Sequence, residues 1–207
     1  MTRLKKEERQ KQIIEAACSV FAERGLAGTR TREIAEACGI NEAIIYRHFK
    51  SKEDLFAQVM AHLYEGMIGS WRRILSEAPD GRTALMRIVE VQTAATFGNP
   101  MICGAVMHGL AASTSDERLR VMIAGWFANH QRLLVDVLRK GMEDGSLRPD
   151  LDPDLIAWWF RGLGWIGVLA SAVEVGGSPS PESVIRTHEE IIRYLAPRGK
   201  ADKEEFD

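Results

Sequence analysis

The sequence predicts an all-α chain: an N-terminal three-helix bundle with a helix-turn-helix, then a longer antiparallel helical domain. Three observations lead there. Apolar residues recur at helical spacing almost from end to end, with hardly any period-two alternation. Caps and breakers (Gly25, Gly39, Asn41, Ser51, Pro79-Asp80-Gly81, Asp152-Pro153, Ser180-Pro181) divide that pattern into helix-sized pieces. Charge is unevenly spread. Residues 1–52 hold eleven Lys/Arg against seven Asp/Glu, and residues 53–207 hold sixteen against twenty-two, within a net charge of −2. A basic head on an acidic body is the footprint of a nucleic-acid-binding module carried by a second domain, and it divides the chain into 1–52 and 53–207.

Taken in order, the first helix runs from Lys6 to Arg24, with Ile13, Ile14, Ala17, Val20 and Phe21 on one face and Gly25 as its stop. A short helix starts between Thr29 and Thr31 and ends at Gly39. A third begins at the N-cap Asn41 and closes around Phe49. Ser51-Lys-Glu-Asp54 opens a long helix whose stripe is Phe56, Met60, Leu63, Met67, Trp71 and Ile74, broken by Pro79-Asp80-Gly81. Helices over 83–97 and 101–112 follow. A capping box at Thr114–Glu117 then starts a long helix that ends near Gly145. Asp152-Pro153 caps an apolar helix expected to reach Val175, and Ser180-Pro181 caps a last helix to Ala196, with a frayed charged tail from Arg198.

The chemistry concentrates between Thr31 and Phe49. Ile34, Ala35 and Cys38 share a face, Gly39 permits a tight turn, Ile40 plugs the corner, and Ile45 and Phe49 point inward. Glu42, Ala43, Ile44, Tyr46, Arg47 and His48 are left at or near the surface. Two short helices about a glycine turn make a helix-turn-helix, whose second helix fits the major groove of double-stranded DNA. An exposed Ile44 and Tyr46 beside Arg47 suit a surface that meets a ligand rather than water. Arg47 can address guanine, Ile44 a thymine methyl, and Glu42 either a cytosine amine or, by repulsion, the choice of site. Arg30 and Arg32, with Lys5, Lys6 and Arg9, add non-specific attraction.

The run from Gly25 to Val59 resembles the DNA-binding signature of the TetR family of bacterial regulators. Gly25, Thr29, Ile34, Ala35, Gly39, Tyr46, Phe49, Lys52 and Leu55 stand at the family's characteristic spacing, over residues 8–60. Glu42 departs from it, since many members have a small or basic residue there. The segment from Lys140 to Pro153 also resembles a recurrent family connection. The resemblance implies that Thr29, Tyr46 and Lys52 grip phosphates, a role that a hydroxyl near a helix N-terminus, a phenol and an ammonium can fill. It further implies a dimeric repressor of a palindromic operator, released by a small effector, whose body is an effector-binding and dimerisation domain.

For the effector, the body offers Met101, Met107 and His108 on one helix and Met122, Trp126 and His130 on the next. Polarizable side chains and histidines of this kind can line a largely apolar pocket or simply fill a core. For self-association, Leu155, Trp158, Trp159, Gly162, Leu163, Ile166, Gly167 and Ala170 form an apolar surface with small residues that allow close approach. Ile185, His188, Ile192 and Leu195 form a stripe on the last helix. The family resemblance implies that this helix pair meets its symmetry mate in a four-helix bundle. An alternative keeps the DNA-binding head and gives the body a protein partner, or dimerisation alone.

Other classes find little purchase. No Gly-rich phosphate loop, GxSxG or HExxH occurs, so no catalytic residue, metal or cofactor is expected. Cys18, Cys38 and Cys103 make no metal spacing, and an odd, sparse count without a secretion signal fits a reducing cytoplasm. The stretch from Leu155 to Val173 has one charge, Arg161. Its glycines and that mid-stretch arginine argue for a helix buried in protein rather than a membrane span.

Overall fold

The computed structural model describes residues 5–98, 100–172 and 180–197, apart from the side chains of 100–102, 168, 171 and 172. Among these residues every regular element is a helix: α1 (Lys6–Gly28), α2 (Thr31–Cys38), α3 (Glu42–His48), α4 (Lys52–Glu77), α5 (Gly81–Gly98), α6 (Pro100–Ser113), α7 (Glu117–Glu143), α8 (Pro153–Ala172) and α9 (Pro181–Leu195). The expected reach of α8 to Val175, the loop from Gly176 and the tail from Arg198 lie outside the described residues.

The boundaries follow the capping chemistry, with two differences. Asn41 accepts from the Ala43 amide at 2.9 Å, Ser51 Oγ from Asp54 at 3.1 Å, Asp152 from Asp154 at 3.0 Å and Ser180 from Ser183 at 3.2 Å. The cap of α7, however, is Asp116 rather than Thr114. Its Oδ1 accepts from Arg118 and Leu119 at 2.9 and 3.2 Å, whereas the Thr114 hydroxyl is spent on the Ala111 carbonyl at 2.7 Å, closing the helix before. The other difference is at Gly25, which does not stop α1. It takes φ 65°, ψ −177°, a conformation nearly confined to glycine, and helical structure resumes to Gly28 beyond the kink.

The chain forms two compact units, Met1–Met67 with Asn99–Gly125, and Ile68–Gly98 with Trp126–Asp207. In the first, Ile13, Ala17 and Phe21 of α1 pack with Ile34, Ala35, Ile45, Phe49, Leu55, Phe56 and Val59, all almost wholly buried. The Phe21 and Phe56 rings meet edge to face at 5.0 Å. Helix α6 lies flush against α1. A Cβ on Gly104 would stand 2.7 Å from the Ala22 carbonyl oxygen, so only glycine allows that approach.

In the second unit, Leu85 and Ile88 of α5, Leu134, Val137 and Leu138 of α7, Phe160 of α8, and Ile192 and Leu195 of α9 form the core. Gly81 crosses Gly141 so closely that a Cβ on Gly81 would lie 2.1 Å from the Gly141 nitrogen. The segment from Lys140 onward ties helix ends together. Lys140 Nζ donates to the last carbonyls of α4, Leu75 at 3.0 Å and Ala78 at 2.8 Å. Asp144 accepts from the Gly81 amide at 2.8 Å, and Ser146 Oγ from that of Arg82 at 3.1 Å, covering the open start of α5. No described helix is long and apolar enough to cross a membrane.

Candidate nucleic-acid interface

The turn between α2 and α3 is built by backbone hydrogen bonds that glycine makes possible. Gly39 takes the left-handed conformation (φ 64°, ψ 35°), its amide donates to Glu36 at 3.1 Å, and that of Ile40 donates to Ala35 at 3.0 Å. Ile45 and Phe49 anchor α3 from beneath, and Ile34 and Ala35 anchor α2. Ala43, Tyr46 and Arg47 consequently stand exposed on one side of α3, with Glu42, Ile44 and His48 half-buried at its margins. Arg30 and Arg32 are exposed at the start of α2, Arg32 pairing with Glu36 at 2.8 Å. So exposed a pair holds weakly and leaves the guanidinium free to exchange partners.

A side-chain chain across the two helix starts was not foreseen. Thr31 Oγ1 donates to the Glu42 carboxylate, and the Tyr46 hydroxyl lies 3.1 Å from the same Thr31 oxygen. With the Thr31 hydrogen committed to Glu42, Tyr46 is the donor in that second bond. The phenol is therefore oriented while its ring remains exposed, and the Glu42 carboxylate is held beside α2. Only Thr31 being 8% exposed betrays this role; no periodicity in the sequence marks it.

Other expected contacts sit differently. Thr29 is 2% exposed, and its hydroxyl donates to the Gly25 carbonyl at 2.7 Å, so it braces the kink and offers little surface to a phosphate. Lys52 Nζ donates to the Thr29 carbonyl at 2.9 Å, tying the first turn of α4 to the α1–α2 junction, with two further N–H bonds available to an incoming anion. His48 is held below the ordinary imidazole range by burial and by the Lys6 and Arg9 charges, so it is neutral near pH 7.

The candidates in the body fall into separate groups. Met107, His108 and Met122 are half-buried in the first unit, His108 resting on the Gly25 kink; the Met101 side chain lies outside the described residues. Trp126 and His130 are half-buried in the second, where the His130 ring stacks on Trp71 at 5.0 Å. Burial, then the Arg161 charge, lowers the His130 pKa to about 4. On α8, Leu155, Trp158, Trp159 and Ile166 are 52–60% exposed and Gly162 is exposed, while Leu163 and Ala170 are half-buried and Gly167 is covered by Phe97 and Thr96. Of the four α9 candidates Ile185 is half-exposed, while His188, Ile192 and Leu195 turn into their own unit's core, His188 Nδ1 bonding to the Val184 carbonyl at 2.8 Å. Exposed Leu169 and Tyr194 were not anticipated. Among the described residues no cluster of His, Cys, Asp and Glu could hold a metal ion.

Residues 13–59, which span this interface and its support, match the family described as bacterial regulatory proteins, tetR family. The chain is 27% identical over 187 residues to the transcriptional repressor KstR2 of Rhodococcus jostii, covering 90% of each protein. A transcriptional regulator from Saccharomonospora viridis, solved with choline, superposes with a TM-score of 0.83 at 22% identity over 93% of this chain and 100% of that one. FadR of Bacillus subtilis, solved with stearoyl-CoA, gives 0.69 at 20% over 90% and 97%. Identity at that level speaks for the fold alone. The matched segment and the exposed face of α3 agree: residues 13–59 form a helix-turn-helix segment of the kind found in bacterial regulatory proteins of the tetR family, on a chain similar along most of its length to a transcriptional repressor.

Proposed function

We propose that the protein is a dimeric repressor in the cytoplasm that binds a palindromic operator through α2 and α3 and is released by a small effector held in the body. The observation that carries the reading is the face of α3. Tyr46 and Arg47 are presented on a helix whose opposite side is locked by Ile45 and Phe49, as a reader of the major groove requires. Under this reading residues 1–52 are the DNA-binding head and the rest senses and dimerises. Two heads related by a twofold axis would reach successive turns of the groove, about 34–36 Å apart.

Repression is favoured by the KstR2 relative, which matches over most of both chains. The effector is favoured by the two structural neighbours, solved with choline and with stearoyl-CoA, and by the aromatic interior of the second unit, where Trp71, Phe127 and Trp165 make ring contacts. Helix α4 carries Lys52 in its first turn and Trp71 toward its end, so one element serves both functions. An effector can move the DNA-bound equilibrium only by its difference in affinity for the two states.

The test is fluorescence anisotropy with DNA from the region upstream of the protein's own gene, at several salt concentrations. The wild type is expected to prefer a palindrome over random DNA. Tyr46→Ala combined with Arg47→Ala should weaken that binding by roughly 30-fold or more and make the salt dependence shallower. Equal binding to random DNA by wild type and variant would sink the local-operator reading.

A further inference from the structure

Among the described residues of the second unit, Arg161 is a cation with no carboxylate in ion-pair range. Arg161 of α8 lies with its guanidinium carbon 4.5 Å from the Trp158 ring centroid and 5.0 Å from that of Phe127, and the Phe127 ring stacks on Trp165 at 5.3 Å. Its one hydrogen-bond partner among the described residues is neutral. Arg161 Nη1 donates to Gln131 Oε1 at 3.0 Å, and the Gln131 amide is fixed in turn by donating to the Asp154 carbonyl at 2.9 Å. Arg161 Nε is buried with no acceptor, and no described carboxylate lies within 4 Å of the group.

This is a costly arrangement for a structural residue. The guanidinium is half-buried rather than fully withdrawn from water, yet the protein groups that meet it are aromatic faces and a single amide oxygen, and its buried Nε–H has no acceptor. Cation–π contact offsets part of that cost and holds the planar fork in place. Burial depresses the Arg161 pKa, as expected of a cation short of compensation, although an arginine stays charged at any physiological pH. The same positive charge helps keep the neighbouring His130 neutral. An incoming oxyanion would find a pre-oriented, partly desolvated fork with rings beside it for an apolar body. A cationic head would meet like charge on the faces it needs.

We infer that Arg161, steadied by Gln131 between Phe127 and Trp158, is the recognition point for the anionic head of the effector: an organic carboxylate or comparable oxyanion on an apolar body. This rests on the effector reading above and narrows it from a largely apolar ligand to an acidic one.

The experiment titrates the full chain with octanoate, 1-octanol and octyltrimethylammonium, followed by tryptophan fluorescence and melting temperature. Octanoate is expected to bind about 10- to 100-fold more tightly than the other two, the range a charge-assisted hydrogen bond supplies. Arg161→Gln should lose that preference, and Arg161→Lys should keep part of it. The comparison among probes needs only the wild type, so it stands if a variant fails to fold. Equal affinity for all three probes, or an Arg161→Gln variant that folds and binds octanoate normally, would overturn the inference. So would sedimentation equilibrium in which Arg161→Gln weakens self-association while wild type ignores octanoate, since the missing carboxylate would then come from a second copy. Octanoate bound through Arg161 with unchanged operator affinity supports the anion site and defeats the effector reading. A neutral ligand that releases DNA from wild type and Arg161→Gln alike does the reverse.

Discussion

At the scale of single residues, two positions carry more strain or charge cost than their neighbours. Gly25 combines a positive φ with a ring in the space where a side chain would go, a Cβ there falling 2.6 Å from His108 Nδ1. Gly25→Ala should therefore lose about 1–3 kcal/mol from the backbone alone, with a further loss from the clash. Adding His108→Ala should recover the steric part but not the backbone part. Urea unfolding of the three variants separates the two, and full recovery in the double variant would show that the kink is not strained. His130 poses the opposite problem, a base kept neutral. With its folded pKa near 4 and its unfolded value near 6.5, the unfolded chain binds the extra proton first as pH falls. The stability tied to its neutrality is thus complete above about pH 6.5 and is lost progressively down to about pH 4. His130→Phe preserves an aromatic partner for Trp71 and removes the titration, so the drop in melting temperature between pH 7 and pH 4.5 should be smaller than in wild type. An identical drop would mean that other groups govern the acid limb.

At the scale of elements, helix existence was legible because periodicity and caps agree, and the misreadings came where two cues competed. Thr114–Glu117 has the spacing of a capping box, but Asp116 stands nearer the helix start with a carboxylate that takes two amides at once. Gly25 looks like a stop because most glycines after an apolar stripe are stops; what lets the chain continue is the Thr29 hydroxyl on its carbonyl and the ring of a helix some eighty residues on. The recognition helix was readable for a local reason, since Ile45 and Phe49 are four apart and fix which side faces out. What Thr31 does could not be read, because its partners Glu42 and Tyr46 come within reach only once the turn has folded. The α9 stripe shows the limit of periodicity itself. It identified the apolar face correctly, yet that face meets its own core, and a stripe does not say which partner covers it. In the sequence Arg161 is only an interruption in an apolar run, because one of its two aromatic partners, Phe127, comes from another helix and meets it only in the fold.

At the scale of the whole molecule, the proposed repressor needs two heads, and α8 supplies the surface on which two copies could meet. Leu155, Trp159, Ile166 and Leu169 recur at three-, four- and seven-residue intervals along one side of the helix and are each about half exposed. Large apolar side chains so aligned are costly to leave in water and are more often covered than not. A twofold interface is self-complementary, so one charged residue placed on it appears twice and faces its own copy. Trp159→Glu with Ile166→Glu is therefore expected to shift the protein from dimer to monomer in sedimentation equilibrium while leaving each chain folded, because neither side chain belongs to its core. The monomer retains Tyr46 and Arg47 and should still bind DNA weakly, but without the second head its operator affinity should fall by about 100-fold or more, as tethered sites lose their effective concentration. The separation of the two effects is what makes the test decisive. Operator affinity that falls while the dimer persists would place these residues in the signalling path instead, and a dimer that persists with unchanged affinity would move the interface to another face of the body.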